Sequence, residues 1–103
     1  MPQFAVYKNP GRADCVPFVL QIQSSRLDRS KTRVVMALAL SGFGAPADHP
    51  LTPRITVQGQ SVYADPLNIA TVPSKRLTAV LEVLPEADQD RIIRAIDEMI
   101  SRA

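Results

Sequence analysis

Apolar residues alternate with polar ones through several short segments of this 103-residue chain, and that spacing limits the fold more than any other feature. Val16, Phe18 and Leu20 recur at every second residue, so one face of an extended segment is apolar while Gln21 points to the other face. The run from Val34 to Leu40 is apolar throughout, which is typical of a central strand covered on both faces. The pattern therefore predicts a sheet of short antiparallel strands.

The second half of the chain adds a hairpin and one more candidate strand. Residues 55–64 read as two apolar strands around Gly59, which supplies the positive φ that a tight turn needs. Residues 68–72 form a further short strand, bounded by Pro66 and Pro73 because proline cannot donate a hydrogen bond to a neighbouring strand. These segments extend the predicted sheet.

Two connecting segments are less regular. The prolines and glycines between Ser41 and Pro53 predict a loop. Residues 77–84 carry leucines and valine at a spacing that fits a helical turn, whereas residues 74–78 fit an edge strand. We therefore expect a short strand followed by a turn of helix in this part of the chain.

The spacing changes after Pro85 from two residues to three and four. Ile92, Ile96 and Met99 share one stripe with Ile93 and Ile100, which predicts an amphipathic helix from about Glu86 to Ala103. Several strands followed by one helix predict an α+β fold that is mainly β. We expect a small antiparallel barrel-like sheet with a C-terminal helix, in one domain of residues 1–103.

The charges and the single cysteine exclude several classes of protein. Twelve basic residues against ten acidic ones give a net charge of +2, which is too balanced for a strong nucleic-acid-binding field. A basic cluster at Arg26, Arg29, Lys31 and Arg33 is read as a solvated loop or, alternatively, as a site for phosphate or an acidic partner. Cys15 cannot form an internal disulfide and is expected to be buried, in a cytoplasmic protein with no membrane segment.

No set of residues points to catalysis. His49 is the only histidine, and its neighbour Asp48 does not make a catalytic pair without a nucleophile in reach. One cysteine and one histidine give no metal-binding spacing, and no glycine-rich phosphate-binding motif is present. We therefore expect a protein that is not an enzyme and that has no metal or cofactor.

Short motifs spread over nearly the whole chain resemble one known family. They are Gln3-Phe4-Ala5-Val6-Tyr7, Phe18 to Ser24, Leu27-Asp28, Arg33 to Ala39, Pro53, Ile55, Val57, Gly59, Val62, Ala70-Thr71-Val72-Pro73, Ile92, Ala95-Ile96 and Met99. In this order they look like the strands, the hairpin and the terminal helix of the CcdB toxin family. The resemblance implies a barrel-like homodimeric toxin of a plasmid-borne or chromosomal toxin–antitoxin pair.

Family resemblance also implies partners and a binding surface. CcdB toxins bind the A subunit of DNA gyrase and trap the enzyme on cleaved DNA, and a labile CcdA antitoxin neutralises them. The matching target-binding positions of this chain are Arg26 and Leu27 in a loop, and Asp97, Ile100, Ser101, Arg102 and Ala103 at the helix end. Met99 and Ile100, in the last helical turn, are expected to contact a second copy of the chain.

One departure from the family leaves alternatives open. CcdB toxins end in Trp-Gly-Ile, whereas this chain has Ser101-Arg102-Ala103 and no tryptophan. A protein with an altered target, or one that has lost toxicity and mainly binds an antitoxin, is therefore a second hypothesis. A third is a ribonuclease like the MazF toxins, which share the barrel, although the Arg-Pro start of the MazF strand motif is missing at Arg33-Val34.

Overall fold

The computed structural model describes residues 2–42 and 49–102. Within these residues, six strands and one α-helix follow each other along the chain, with a 3₁₀ turn after the second strand and another after the fifth. The elements are β1 (Ala5–Lys8), β2 (Phe18–Gln21), a 3₁₀ turn (Ser25–Leu27), β3 (Thr32–Leu40), β4 (Arg54–Val57), β5 (Gln60–Pro73), a 3₁₀ turn (Ser74–Arg76), β6 (Glu82–Val83) and α1 (Glu86–Ile100). No helix in the described ranges is long and apolar enough to cross a bilayer.

The sheet curls until its two end strands approach each other. Its order is β4-β5-β3-β2-β1-β6, and each strand pairs antiparallel with its neighbours. The gap is bridged where the amide of Gln58, in the β4–β5 turn, donates to Glu82 Oε1 of β6 at 2.8 Å. The predicted fold class, a small antiparallel barrel-like sheet with a C-terminal helix, is therefore confirmed.

The β4–β5 hairpin turns where the sequence predicts it. Gln58 and Gly59 have φ values of +51° and +76°, and positive φ at both central residues is what a type I′ hairpin turn requires. Gly59 adopts this conformation without steric cost, whereas Gln58 bears a side chain. The Gln58 side-chain amide lies 3.4 Å from Glu82 Oε1, so the same residue serves the turn and the closure of the sheet.

β3 lies at the centre of the sheet, and its residues from Val35 to Ala39 are all buried. Met36 and Leu38 face the main core cluster, which α1 covers with Ile92. Val35 faces the other side of the sheet, against Tyr7. The prediction of a central strand covered on both faces is confirmed.

Pro66 does not end a strand, as the sequence pattern predicted, because β5 continues through it. Ala37 pairs with Asp65, and the preceding Met36 pairs with Ile69, so residues 66–68 bulge out of the ladder. Within this bulge the missing amide hydrogen of Pro66 breaks no strand pairing. The two predicted strands are therefore one bent strand of 14 residues.

The order predicted for residues 74–84 was wrong. The helical turn comes first, at Ser74–Arg76, and the strand β6 comes second. The Ser74 amide donates to the Lys31 carbonyl at 2.8 Å, which terminates β5 pairing, and the Leu81 amide donates to the Val6 carbonyl at 2.8 Å. Pairing with β1, which lies far away in sequence, therefore decides where the last strand forms.

Three smaller predictions also need correction or fall outside the description. Cys15 is exposed rather than buried, because the neighbouring Val16 takes the inward position. The helix ends at Ile100 instead of running to Ala103. The predicted loop from Ser41 to Pro53 is described only in part, since residues 43–48 lie outside the described ranges.

Candidate functional site

The C-terminal end of α1 is an exposed tip with mixed chemistry. Met99 is half-buried, and Ile100 is 67% exposed. Ser101 leaves the helix with a ψ of 140°, and its amide donates to the Glu98 carbonyl at 3.3 Å. Arg102 is exposed directly after this cap. The tip therefore presents an isoleucine beside a cation, two groups that suit contact with a protein partner.

The first three turns of α1 fix the direction of that tip. Ile92 and Ala95 are fully buried against the sheet. The side chain of Gln89 donates to the Leu84 carbonyl at 2.8 Å, and Arg91 Nη1 donates to the Arg54 carbonyl at 2.7 Å. Ile93, which the sequence places in the apolar stripe, is instead 45% exposed. The buried face is thus narrower than predicted.

The 3₁₀ turn Ser25–Leu27 carries the other predicted target-binding residues. Arg26 is exposed, and Leu27 has 59% of its surface accessible. The Ser24 hydroxyl caps the turn by accepting from the Arg26 amide at 3.2 Å. The Ser25 hydroxyl accepts from the Gln3 amide at 3.2 Å, which connects the turn to the start of the chain. Both predicted side chains are therefore accessible on an ordered turn.

Buried polar side chains lie beneath this turn. Gln23 and Arg33 are almost fully buried, although the sequence places Arg33 in a solvated basic cluster. The guanidinium of Arg33 donates to backbone carbonyls of residues 28–32, and its Nε lies 3.9 Å from Asp28 Oδ1. The sequence contained a signal for this position, because Arg33 is two residues before the buried Val35 and so shares its face of β3.

Tyr7 lies close enough to the same charges to be affected by them. Burial raises the pKa of the Tyr7 phenol above its usual value, the Arg33 guanidinium partly lowers it, and the Asp28 carboxylate raises it further. Tyr7 and Arg33 are on adjacent regions of the sheet face opposite α1. The buried Tyr7 and Arg33 therefore form one group of interacting polar side chains with the half-buried Asp28 of the loop.

The tip and the loop attach to one core but use different contacts. Ile22, just before the loop, and Ile96, in the penultimate turn of α1, both pack against the main core cluster. The hydrogen bonds that hold the loop come from Gln3, Gln23 and Arg33, which lie before β1, after β2 and in β3, and not from α1. Ala103, the last predicted target-binding residue, lies outside the described part of the chain.

A separate groove lies on the sheet face opposite α1. It has a volume of about 270 Å³ between the β1–β2 connection and the sheet. Its apolar floor includes Val19, Val35 and Val72, and Arg12 and Arg76 line its rim. Arg76 Nη2 donates to the Pro10 carbonyl at 3.0 Å, which holds one side of the groove. An apolar floor between two cations suits a segment with apolar and acidic side chains.

His49 belongs to neither the helix tip, nor the turn Ser25–Leu27, nor the groove opposite α1. Its Nδ1 accepts from the Leu51 amide at 3.0 Å. It lines a cavity of about 260 Å³ with Pro50, Pro53, Arg91 and Arg94. Within the described ranges, no group of three or more His, Cys, Asp or Glu side chains could hold a metal ion. The predicted neighbour pair of His49 cannot be assessed, since Asp48 lies outside the description.

The architecture and its exposed tip define the class of small α+β proteins in which a nearly closed antiparallel barrel carries a terminal helix. Residues 3–101 match the family model described as CcdB protein, and the chain therefore belongs to the CcdB family. The resemblance inferred from the sequence motifs is thus confirmed. This membership supports a role as the toxin of a toxin–antitoxin system.

Solved structures that share this fold include two endoribonucleases. An endoribonuclease in complex with its cognate antitoxin from Mycobacterial species has a TM-score of 0.78 and 16% identity, over 100% of this chain and 99% of that chain. An endoribonuclease from Mycobacterial species has a TM-score of 0.71 and 16% identity, over 95% of this chain and 88% of that chain. No curated protein sequence matches. At this level of identity, the likeness establishes the fold alone.

Proposed function

We propose that this chain is a CcdB-like toxin that binds the A subunit of DNA gyrase and traps the enzyme on cleaved DNA. The observation that carries the proposal is the helix tip, which a buried helix face anchors and which leaves Ile100 and Arg102 exposed in a member of the CcdB family. Arg26 and Leu27, on the capped turn, provide the second contact. The toxin acts by binding and catalyses no reaction.

The chemistry of the tip sets the strength of this contact. Full burial of an isoleucine side chain contributes about 1.5–3 kcal/mol, and most of Ile100 is available for it. Ser101 and Arg102 replace the Trp and Gly of the family tripeptide, so the aromatic anchor is missing. Loss of the apolar area that a large aromatic side chain would bury reduces the binding free energy by about a few kcal/mol. We therefore expect weaker binding to gyrase than an aromatic tip would give.

The groove opposite α1 is the proposed antitoxin site. Its valine floor and the rim cations Arg12 and Arg76 complement a segment with alternating apolar and acidic residues. One protein that shares the fold was solved in complex with its cognate antitoxin, which supports an antitoxin partner here. We expect the antitoxin to be CcdA-like, with a disordered segment that orders on binding.

A homodimer in the cytoplasm completes the proposal. Met99 is the apolar side chain that a second copy would cover at the tip, which leaves Ile100 accessible to gyrase. Gyrase and its DNA substrate define the compartment in which such a toxin works. No membrane, cofactor or direct nucleic-acid contact enters this scheme.

The test combines purified gyrase with supercoiled plasmid. The toxin should convert plasmid into protein-linked linear DNA, which detergent and protease release. Ile100→Asp should reduce the linear product about tenfold or more, because it places a charge in the apolar contact. Ile93→Asp, on the same helix at another exposed position, is the matched control and should retain the product. Absence of linear DNA with the unmodified toxin would contradict gyrase poisoning.

The ribonuclease hypothesis has one observation in its favour, since two of the solved structures that share the fold are described as endoribonucleases. Against it, the groove lining in the described residues contains no histidine, aspartate or glutamate to act as general acid or base. Incubation with total RNA should therefore yield no new fragments. The remaining alternatives are a toxin with an altered target and a protein that has lost toxicity and mainly binds an antitoxin. The second predicts that expression without antitoxin does not arrest growth.

A further inference from the structure

We propose that Arg33 is a positioning residue that holds residues 24–32 in a binding-ready shape. The inference rests on the proposed function, because it assumes that Arg26 and Leu27 on this loop contact the target. It goes further in assigning a role to a buried residue that touches no partner. The structural basis is a set of hydrogen bonds that converge on the loop from below.

One guanidinium organises three positions of the loop. Arg33 Nη2 donates to the Asp28 carbonyl at 2.9 Å, and Nη1 donates to the Thr32 carbonyl at 2.9 Å and to the Ser30 carbonyl. The Asp28 and Ser30 carbonyls belong to the connection between β2 and β3, and the Thr32 carbonyl belongs to the first residue of β3. The planar fork of an arginine has enough donors to serve all three at once. The loop backbone is therefore tied to β3 at Asp28 and Ser30, and the third hydrogen bond lies where the loop enters the strand.

Gln23 holds the loop from the end of β2. Its side-chain amide donates to the Leu27 carbonyl at 3.1 Å and lies 3.4 Å from the Thr32 carbonyl. Its Oε1 accepts from the Val34 amide at 2.9 Å, which fixes the side chain itself. Gln23 and Arg33 thus bind the two ends of the same loop. Their joint action restricts the turn that carries Leu27.

The loop has a buried side, whose contacts hold its backbone, and an exposed side, which is available to a partner. Arg33 and its partner Asp28 face inward, whereas Arg26, Arg29 and Lys31 are exposed. The exposed apolar side chain of Leu27 belongs to the same short segment of the sequence as these three cations. A loop that is already ordered loses less conformational entropy on binding, and this raises affinity without any new contact. Arg33 therefore influences recognition although it lies beneath the surface.

The first experiment measures amide hydrogen exchange in the free protein. The reporters are the amides of Leu27, Asp28 and Ser30, which bond to carbonyls inside the loop. In Arg33→Met they should exchange at least tenfold faster, while the amides of β3 should be unchanged. Arg29→Met removes the same charge from an exposed position of the same loop and is the matched control. Equal protection of the loop in Arg33→Met and the unmodified protein would overturn the proposal.

The second experiment measures binding to immobilised gyrase A subunit. Arg33→Met should weaken binding about tenfold through slower association. Arg29→Met should change the salt dependence of binding, and its affinity should stay closer to that of the unmodified protein. Failure of the unmodified chain to bind gyrase would reject the proposed function, whereas the exchange data would still judge the positioning role. If Arg33→Met does not fold, Arg33→Lys decides, because a single nitrogen cannot occupy the two separate positions from which Nη1 and Nη2 of Arg33 reach the carbonyls. Faster exchange of the loop supports the proposal, and unchanged exchange overturns it.

Discussion

The phenol of Tyr7 is fully buried, and its hydroxyl has no hydrogen-bond partner among the described residues. A buried hydroxyl without a partner gives no net stabilisation, so replacement by an apolar group of the same shape is nearly neutral or favourable. We expect Tyr7→Phe to leave the free energy of unfolding at pH 7 unchanged or higher by about 1 kcal/mol. Urea unfolding followed by circular dichroism measures this difference.

Alkaline pH gives the same substitution a second readout. Because the folded-state pKa of Tyr7 is raised, the unfolded chain loses the phenol proton first, so the stability of the fold does not depend on this group below the unfolded pKa near 10 and decreases as pH rises from there through the higher folded pKa. The unmodified protein should therefore lose stability more steeply than Tyr7→Phe as pH rises above about 10. Parallel curves for the two proteins would contradict the raised pKa.

The conformation or burial of some residues could be predicted from the sequence, whereas that of others could not. Gly59 was predictable, because its φ requirement comes from the local turn. Arg33 was not, since its charge argued for solvent while its phase with Val35 argued for burial. The carbonyls that favour burial come from the loop of residues 28–32, and the sequence does not say where those carbonyls point. Only the three-dimensional structure shows that backbone carbonyls compensate the buried charge of Arg33.

Helix α1 offers a test in which one element contains its own control. Ile92 is fully buried, whereas the adjacent Ile93 is about half exposed. Ile92→Ala should destabilise the protein by about 2–5 kcal/mol, because it removes core contacts and leaves a cavity. Ile93→Ala should cost well under half of that, since part of its side chain already meets water. Thermal unfolding of both variants measures the difference, and similar losses would contradict the observed orientation of the helix.

Elements were predictable where local periodicity determines them and not where a distant partner does. The apolar phase of residues 18–21 and the helical spacing after Pro85 are local, and both elements formed, although the helix ends at Ile100 rather than at Ala103. β5 continues through Pro66 because β3 accepts a bulge opposite Met36 and Ala37. The strand at residues 82–83 exists because β1 pairs with it. Neither partner arrangement is encoded in the periodicity of the segment itself.

For the whole molecule, the proposed dimer can be tested at the helix tip. Met99 is half-buried in a single copy, next to the exposed Ile100. Met99→Asp should convert a dimer into a monomer, because a buried unpaired carboxylate is costly at an apolar contact. Light scattering measures the mass, and Ile93→Asp is the control that should remain dimeric. A dimer that persists in Met99→Asp would place the contact between copies elsewhere.

The candidate site was predictable only through the family motifs. Position in those motifs led to Arg26, Leu27 and Ile100, and the structure places all three side chains in solvent. The groove with Arg12 and Arg76 was missed, because its two sides come from the β1–β2 connection and the turn after β5. Such a surface exists only after the sheet has curled. Local sequence patterns carry no information on that curvature.

Pairing between β1 and β6 also imposes an order on biosynthesis. Ala5 pairs with Val83, so β1 leaves the ribosome long before its outer neighbour has been translated. Until then β1 can pair on one side with β2, while its other edge keeps free backbone groups that can recruit a strand from another chain. Pairing over such a distance in sequence also slows folding. The nascent barrel is therefore most vulnerable to aggregation in the interval before Val83 emerges.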